Sequence, residues 1–312
     1  MSNLSAPYLH NEEAAYDFLE GVLWPNGPVC PHCGCTGRIT KVKANPEKRI
    51  RLGLHRCGDC KKQFTVKVGT VFEASKVKLH LWLQAVVLMT SSKKGISAHQ
   101  LHRVLGVTYK TAWFMEHRIR EAMRSGDLAP FGGNGGAVEA DETFIGNDRT
   151  IKPKGEKKGR GYHHKHKVLA LVDRETGKAR TMVVDDLKAG TLAPILRENI
   201  VKEARLMTDE ASYYTKVGGE FAEHGVVHHG KGEYGRGDTH TNTVEGYFSI
   251  FKRGMKGVYQ HCAKRHLHRY VAEFEFRYNH RSALGVEDHQ RAKAALTNAR
   301  GKRLTYRPSS AL

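Results

Sequence analysis

An α/β domain with a mixed sheet, preceded by smaller modules, is predicted from three observations. Beyond residue 136 extended runs alternate with helices: strand candidates lie at 137–145, 167–173, 179–185 and 204–208, a helix at 190–202 precedes the last, and helices at about 242–256 and 264–280 close the region. Two C-x-x-C pairs lie ahead of it, and between them and the sheet region runs a stretch of helical periodicity.

The 312 residues suffice for two or three domains, one with a full-sized core. Lys and Arg outnumber Asp and Glu by 51 to 32, a net charge of +19 and a pI near 9.7. Such an excess attracts a polyanion, nucleic acid above all, because neutralising phosphates releases counterions. No run approaches 18 uncharged apolar residues, and the first 30 residues carry Glu12, Glu13, Asp17 and Glu20, unlike a signal peptide. The expectation is a protein of the cytoplasm, associated with the nucleoid, with no membrane partner.

Residues 11–20 read as a short amphipathic helix. Cys30-Pro-His-Cys33 and Cys57-Gly-Asp-Cys60 then form two knuckles separated by 23 residues. Two residues between thiolates let both reach one tetrahedral ion, and two knuckles complete a four-cysteine site. Four thiolates leave no open position, so Cys30, Cys33, Cys57 and Cys60 are expected to hold a structural Zn2+. His32, Cys35 and Cys262 are read as bystanders. Strand-like pieces follow, such as KQFTVKVGTVF at 62–72, with domain 1–75 comprising the first helix and the ribbon.

Domain 76–125 is read as helical. After the apolar stretch 79–89, Ser97 and Gln100 open a helix over 98–105 as a capping box, Gly106 turns the chain, and Thr108 caps a helix over 109–124. This spacing fits a helix-turn-helix. Thr108, Tyr109, Lys110 and Thr111 are the candidate DNA contacts at the start of its second helix, with Trp113, Met115 and Ile119 on the buried side. GDLAPFGGNGG (126–136) has linker composition.

In VEADETF (138–144) Asp141 sits in mid-strand, with Glu139 and Thr143 on its face and Glu142 on the other. ARLMTDE (204–210) ends an apolar strand at Asp209. In HTNTVEGYFSIFKRG (240–254) a helical wheel groups Asn242, Glu245, Ser249 and Lys252 on one stripe and Val244, Tyr247, Phe248, Phe251 and Met255 opposite. Glu245 could therefore complete a metal site with Asp141 and Asp209, while Lys252 and Arg253 hold a DNA phosphate. The basic run at 152–167, with Lys157, Lys158 and Arg160, offers further phosphate contacts. His163, His164, His228, His229 and His240 are candidate rim groups.

These motifs, with CPHCG…CGDCKKQFTVKVGTVFEASK (30–76) and LMTSSKKGISAHQLHRVLGVTYKTAWFMEHRIREA (88–122), resemble bacterial insertion-sequence transposases of the zinc-ribbon DDE type, in order from about residue 12 to 281. The resemblance implies a ribonuclease-H-like mixed sheet with helices over 137–281; the composition of 282–312 itself reads as a basic, loosely structured tail. The resemblance also implies Asp141, Asp209 and Glu245 as ligands of two Mg2+ (or Mn2+) ions, and Lys252 as a DNA contact. Related groups place Asn at the third position, so Asn242 is the alternative; a charged oxygen holds magnesium better than an amide, which favours Glu245. The implied chemistry is cleavage at an element's end, followed by attack of the freed 3′-hydroxyl on target DNA. No covalent protein–DNA intermediate is needed, so Tyr213 and Tyr214 are read as packing or stacking residues. Expected partners are the terminal inverted repeats, target DNA and further copies of the chain. The competing readings are a non-catalytic DNA-binding regulator, which the three acids argue against, and a plain nuclease, which the DNA-reading modules argue against.

Overall fold

The computed structural model describes residues 3–124, 129–147 and 164–305. The chain forms two compact units, one of Met1–Arg124 with Val286–Leu312, the other of Ser125–Gly285.

In the first unit, helix α1 (Glu12–Leu23) starts on Asn11, whose side chain accepts from the Ala14 N–H at 3.0 Å. Strands β1 (Ile39–Lys41), β2 (His55–Cys57) and β3 (Gln63–Phe64) form an antiparallel sheet in that order. The strand expected over 62–72 pairs in the ribbon sheet only at its beginning, and near its end makes a single antiparallel bridge, Thr70 with Arg300. Beyond Phe64 the chain turns, with Val68 N–H donating to Thr65 O and Thr70 N–H to Lys67 O. Its apolar residues Val66, Val71 and Phe72 are buried all the same. The strand-like composition there recorded burial more than sheet pairing.

Helices α2 (Leu79–Ser91), α3 (Ala98–Leu105) and α4 (Tyr109–Met123) follow. Leu79, Trp82, Leu83, Ala85, Val86 and Met89 are all buried, as expected of a helix apolar on most sides. Lacking a cap of its own, α2 receives the Glu12 carboxylate on the N–H groups of Leu79 (2.7 Å) and His80 (3.1 Å). Ser97 caps α3, Gly106 ends it at φ 65°, and Thr108 caps α4. The positive φ is where only glycine rests without strain.

The second unit is built on a five-stranded sheet. Its strands are β4 (Ala137–Ile145), β5 (His166–Asp173), β6 (Ala179–Val184), β7 (Arg205–Asp209) and β8 (Glu223–Val227), in the order β6-β5-β4-β7-β8. The first three are antiparallel; β7 joins β4, and β8 joins β7, in parallel. Helices α5 (Ala189–Asn199) and α6 (Ser212–Gly218) cover one face, packing Leu192, Leu196, Tyr214 and Val217 on Val138, Ala140, Leu169 and Leu171. Helices α7 (Asn242–Gly254) and α8 (Lys264–Asn279) cover the other, where Val244, Phe248, Phe251 and Phe274 meet Ile145, Val168, Ala170 and Val172. The α/β class with a mixed sheet is thus observed. Strand β8 and helix α6 are additions to the predicted elements.

After α8 the chain returns to the first unit. The region expected as a loose basic tail contains helix α9 (Asp288–Thr297), opened by a capping box between Glu287 and Gln290. Its buried stripe is Ala292, Ala295 and Leu296, and alanines make a faint apolar signal. Arg291, itself buried, donates to Thr90 O near the C-terminal end of α2 at 3.0 Å and to Asp288 at 2.7 Å. Helix α2 therefore ends on a guanidinium and begins on a carboxylate, each complementing the helix dipole. Farther on, Val71 N–H donates to Ala299 O, Gly301 N–H to Gly69 O, and Arg118 to Leu304 O.

Replacing Arg291 by Ala removes charged hydrogen bonds from a buried carbonyl. Chemical denaturation is expected to show the first unit destabilised by about 2 kcal/mol. An unchanged midpoint would mean the C-terminal helix only rests on this unit without supporting it.

Candidate active site

The register of β4 and β7 brings the first two acids together. Glu139 pairs with Met207, and two further residues at that register set Asp141 abreast of Asp209, where β7 ends. Carboxylate oxygens of Asp141, Glu142 and Asp209 lie within 4.8 Å of one another. Asp141 accepts from Glu142 N–H at 2.7 Å and Asp209 from Ala211 N–H at 3.0 Å. Burial, then the charges of Asp209 and Glu245, push the Asp141 carboxyl up to about 7, against the pull of the Glu142 N–H and Lys252. Burial, then Asp141 and Asp209, push Glu142 up to about 8. Asp209 is raised too, by burial first and Glu210 second. Crowded hard oxygen donors with disfavoured charge suit a divalent cation such as Mg2+ or Mn2+.

The third acid arrives on α7. Glu139, fully buried on β4, accepts from Val244 N–H at 2.8 Å and Thr243 Oγ1 at 2.7 Å, capping the start of that helix from the sheet. Arg174 pairs with the same carboxylate at 2.7 Å and reaches His240 O and Asp238. Pinned this way, α7 turns Val244, Tyr247, Phe248, Phe251 and Met255 inward, as the helical wheel predicts, and leaves Glu245 and Lys252 on the open side. Both are near enough for their charges to act on Asp141. Glu245 itself stands outside the 4.8 Å cluster: Thr241 Oγ1 donates to it at 2.9 Å and His229 Nε2 lies 3.5 Å away. Asn242 opens α7 and is exposed, as is Arg253, whose Nε donates to Ser249 O.

Of the rim histidines, His229 stands beside Glu245, and His240 lies 3.2 Å from Glu139. Lys157, Lys158, Arg160 and His163 lie outside the described residues. Glu142 was assigned to the opposite face from Asp141, yet its carboxylate joins the cluster. Tyr213 and Tyr214, read as packing or stacking residues, both donate hydroxyls to Glu142, the latter at 2.9 Å. The signal for this lay in the register, which no local pattern carries.

In the first unit the four cysteines meet as their spacing implies. Cys30 and Cys60 sulfurs are 3.7 Å apart, Cys33 and Cys57 sulfurs 3.6 Å, and all four lie within 4.8 Å of one another. A tetrahedral zinc with bonds of about 2.3 Å has sulfur–sulfur edges of about 3.8 Å, so the set fits structural zinc. Cys35 stands outside it, lending its carbonyl to Cys30 N–H.

Helices α3 and α4 are joined through Gly106, with Thr108, Tyr109 and Lys110 exposed and Thr111 half-buried. The Thr108 hydroxyl is engaged in capping, accepting from Thr111 N–H at 3.2 Å. The Tyr109 ring stacks on His99 with centroids 4.3 Å apart. Met115 and Ile119 are buried as expected, whereas Trp113 is only half-buried, its ring against His117. Among the described residues no helix is long and apolar enough to cross a membrane.

Comparison with known proteins bears on both units. Residues 134–279 match the ISXO2-like transposase domain and residues 10–63 the transposase zinc-ribbon domain. The "Uncharacterized protein in transposable element ISH50" of Halobacterium salinarum is 30% identical over 285 residues, spanning 86% of this chain and 90% of that protein. Among solved structures, a chain of the simian T-cell lymphotropic virus intasome in complex with PP2A regulatory subunit B56 gamma aligns at 13% identity with a TM-score of 0.28. That alignment covers 62% of this chain and 65% of the other, and at such a score it carries no argument. The carboxylate cluster falls inside the first matched domain and the cysteine cluster inside the second, and with a relative alike over nearly its whole length the chain belongs to the ISXO2-like transposase family.

Proposed function

We propose that this transposase binds the terminal inverted repeats of an insertion sequence and performs metal-dependent DNA cleavage and strand transfer. The observation that carries the reading is the meeting of Asp141 and Asp209 carboxylates at the end of β7, with Glu245 and Lys252 on the helix beside them. Asp141, Asp209 and Glu245 would hold two Mg2+ or Mn2+ ions. When bound, such ions supply Lewis acidity and activate the attacking oxygen for phosphoryl transfer. Lys252 and Arg253, exposed on α7, would hold DNA phosphates and so orient the strand. The Tyr213 and Tyr214 hydroxyls are engaged with Glu142, which leaves neither poised as a nucleophile.

The amino-terminal modules would select the substrate. Thr108, Tyr109, Lys110 and Thr111 would face DNA at the start of α4, where backbone N–H groups also favour phosphate. Zinc on Cys30, Cys33, Cys57 and Cys60 would hold the ribbon rigid. Joining two element ends calls for more than one copy of the chain on the DNA. On this reading residues 1–75 and 76–125 form the DNA-reading part and 137–281 the catalytic part, acting at the nucleoid.

Three outcomes follow. With labelled terminal-repeat DNA and magnesium, Asp141→Asn and Asp209→Asn should each slow cleavage by roughly a thousandfold or more, since a lost ligand removes several kcal/mol of charge stabilisation. Retained cleavage refutes the assignment, and cleavage by the parent without end joining would make it a plain nuclease. In the ribbon, Cys57→Ser should release zinc, seen by metal analysis, and abolish repeat binding; zinc kept at the parent level excludes the four-cysteine site.

A third outcome concerns pH. Asp141 has an ordinary carboxyl value of 3.8 unfolded and about 7 folded. A carboxyl raised by folding costs stability as pH climbs between those values, and the cost is complete above the upper one. In magnesium-free buffer, Asp141→Asn should therefore melt higher than the parent at about pH 8, with the gain vanishing near pH 4. Equal melting temperatures at the higher pH would show that the carboxylates are not crowded.

A further inference from the structure

Adjacent residues of a strand point to opposite faces of a sheet, and inside the sheet a neighbouring strand keeps those faces apart. At Asp141 and Glu142 the neighbour runs out. Strand β7 ends at Asp209, which the register of the preceding pairs sets abreast of Asp141, so Glu142 lies just past the end of that strand. Helix α6 begins three residues after Asp209 and brings two tyrosines to this corner. Tyr214 is fully buried and donates to one Glu142 oxygen at 2.9 Å, while Tyr213 donates to the other. Both oxygens of Glu142 are thereby oriented, and its carboxylate reaches the Asp141 and Asp209 oxygens within 4.8 Å. Glu245, by contrast, stands outside that cluster.

We propose that Glu142 is a further ligand of the divalent-ion site, serving it from the opposite face of β4, with Tyr213 and Tyr214 as its positioning residues. The inference rests on the reading of Asp141 and Asp209 as metal ligands and adds a fourth carboxylate to the three named there. A carboxylate needed only to accept two phenols gains nothing from standing against two like charges. A ligand, however, must stand there, and ligand carboxylates are characteristically held by hydrogen bonds of their own. Tyr213 and Tyr214 supply those bonds from the element that directly follows Asp209. Metal binding would thus be coupled to the docking of α6.

The test is a manganese titration of the full-length, zinc-loaded chain without DNA, with free Mn2+ followed by its electron paramagnetic resonance signal. Four proteins are compared: the parent, Asp141→Asn, Glu142→Gln and Tyr213→Phe. Glu142→Gln should weaken Mn2+ binding about tenfold or more, and Tyr213→Phe should weaken it by a smaller factor, as loss of a ligand's supporting bond does. Melting temperatures without Mn2+ at or near the parent's would show that both variants fold. Parental affinity in Glu142→Gln, with binding lost in Asp141→Asn, overturns this inference and leaves the catalytic reading standing. Parental affinity in Asp141→Asn overturns the catalytic reading itself. Parental affinity in Tyr213→Phe, with Glu142→Gln weakened, removes Tyr213 from its positioning role.

Discussion

A single buried carboxylate holds the catalytic unit's geometry together. Glu139 is inaccessible to solvent, and a charge so placed is tolerated only when fully paired. Its partners are the Arg174 guanidinium, the Thr243 hydroxyl and the Val244 N–H, drawn from the β5–β6 turn and the first turn of α7. Because β4 also carries Asp141 two residues later, the interaction that satisfies Glu139 also sets the height of α7 over the sheet. Glu245 then comes within electrostatic reach of Asp141, and Lys252 follows two turns along the same side. The acids proposed to act together, widely separated in the chain, are thereby referred to one strand.

The first unit solves a comparable problem with end groups. Helix α2 is too apolar to supply polar caps of its own, so a carboxylate from α1 closes its beginning and a guanidinium from α9 closes its end. This arrangement accounts for the return of the chain after the catalytic unit: residues far apart in sequence satisfy the backbone groups of one buried helix. The cysteine cluster serves the ribbon in the same way, a closed four-thiolate set standing in for the core that three short strands cannot build.

Much of this was legible without coordinates because it is written in local periods. The C-x-x-C spacing foretold that its four cysteines would cluster, and Ser97, Gly106 and Thr108 marked helix ends by their own chemistry. The 3.6-residue period of 242–256 separated the apolar face of α7 from the stripe bearing Glu245 and Lys252. Three signals failed for physical reasons. Alanines at the core of α9 made its periodicity faint, so the segment passed for a tail. The strand-like composition of 62–72 reflected buried side chains in a turning segment, and Trp113 sits at a half-open edge of a face whose other members are buried.

The amino-acid sequence by itself carried the α/β class, the paired cysteines and the ends of α3 and α4, since periodicity, knuckle spacing and helix caps are each written in short stretches of chain. Only the tertiary structure decided that β7 ends abreast of Asp141, that Glu142 crosses to the same site, and that Tyr213 and Tyr214 hold it there. Those facts follow from parallel pairing between strands some seventy residues apart, whose register is set by packing across the whole sheet and leaves no trace in either strand alone.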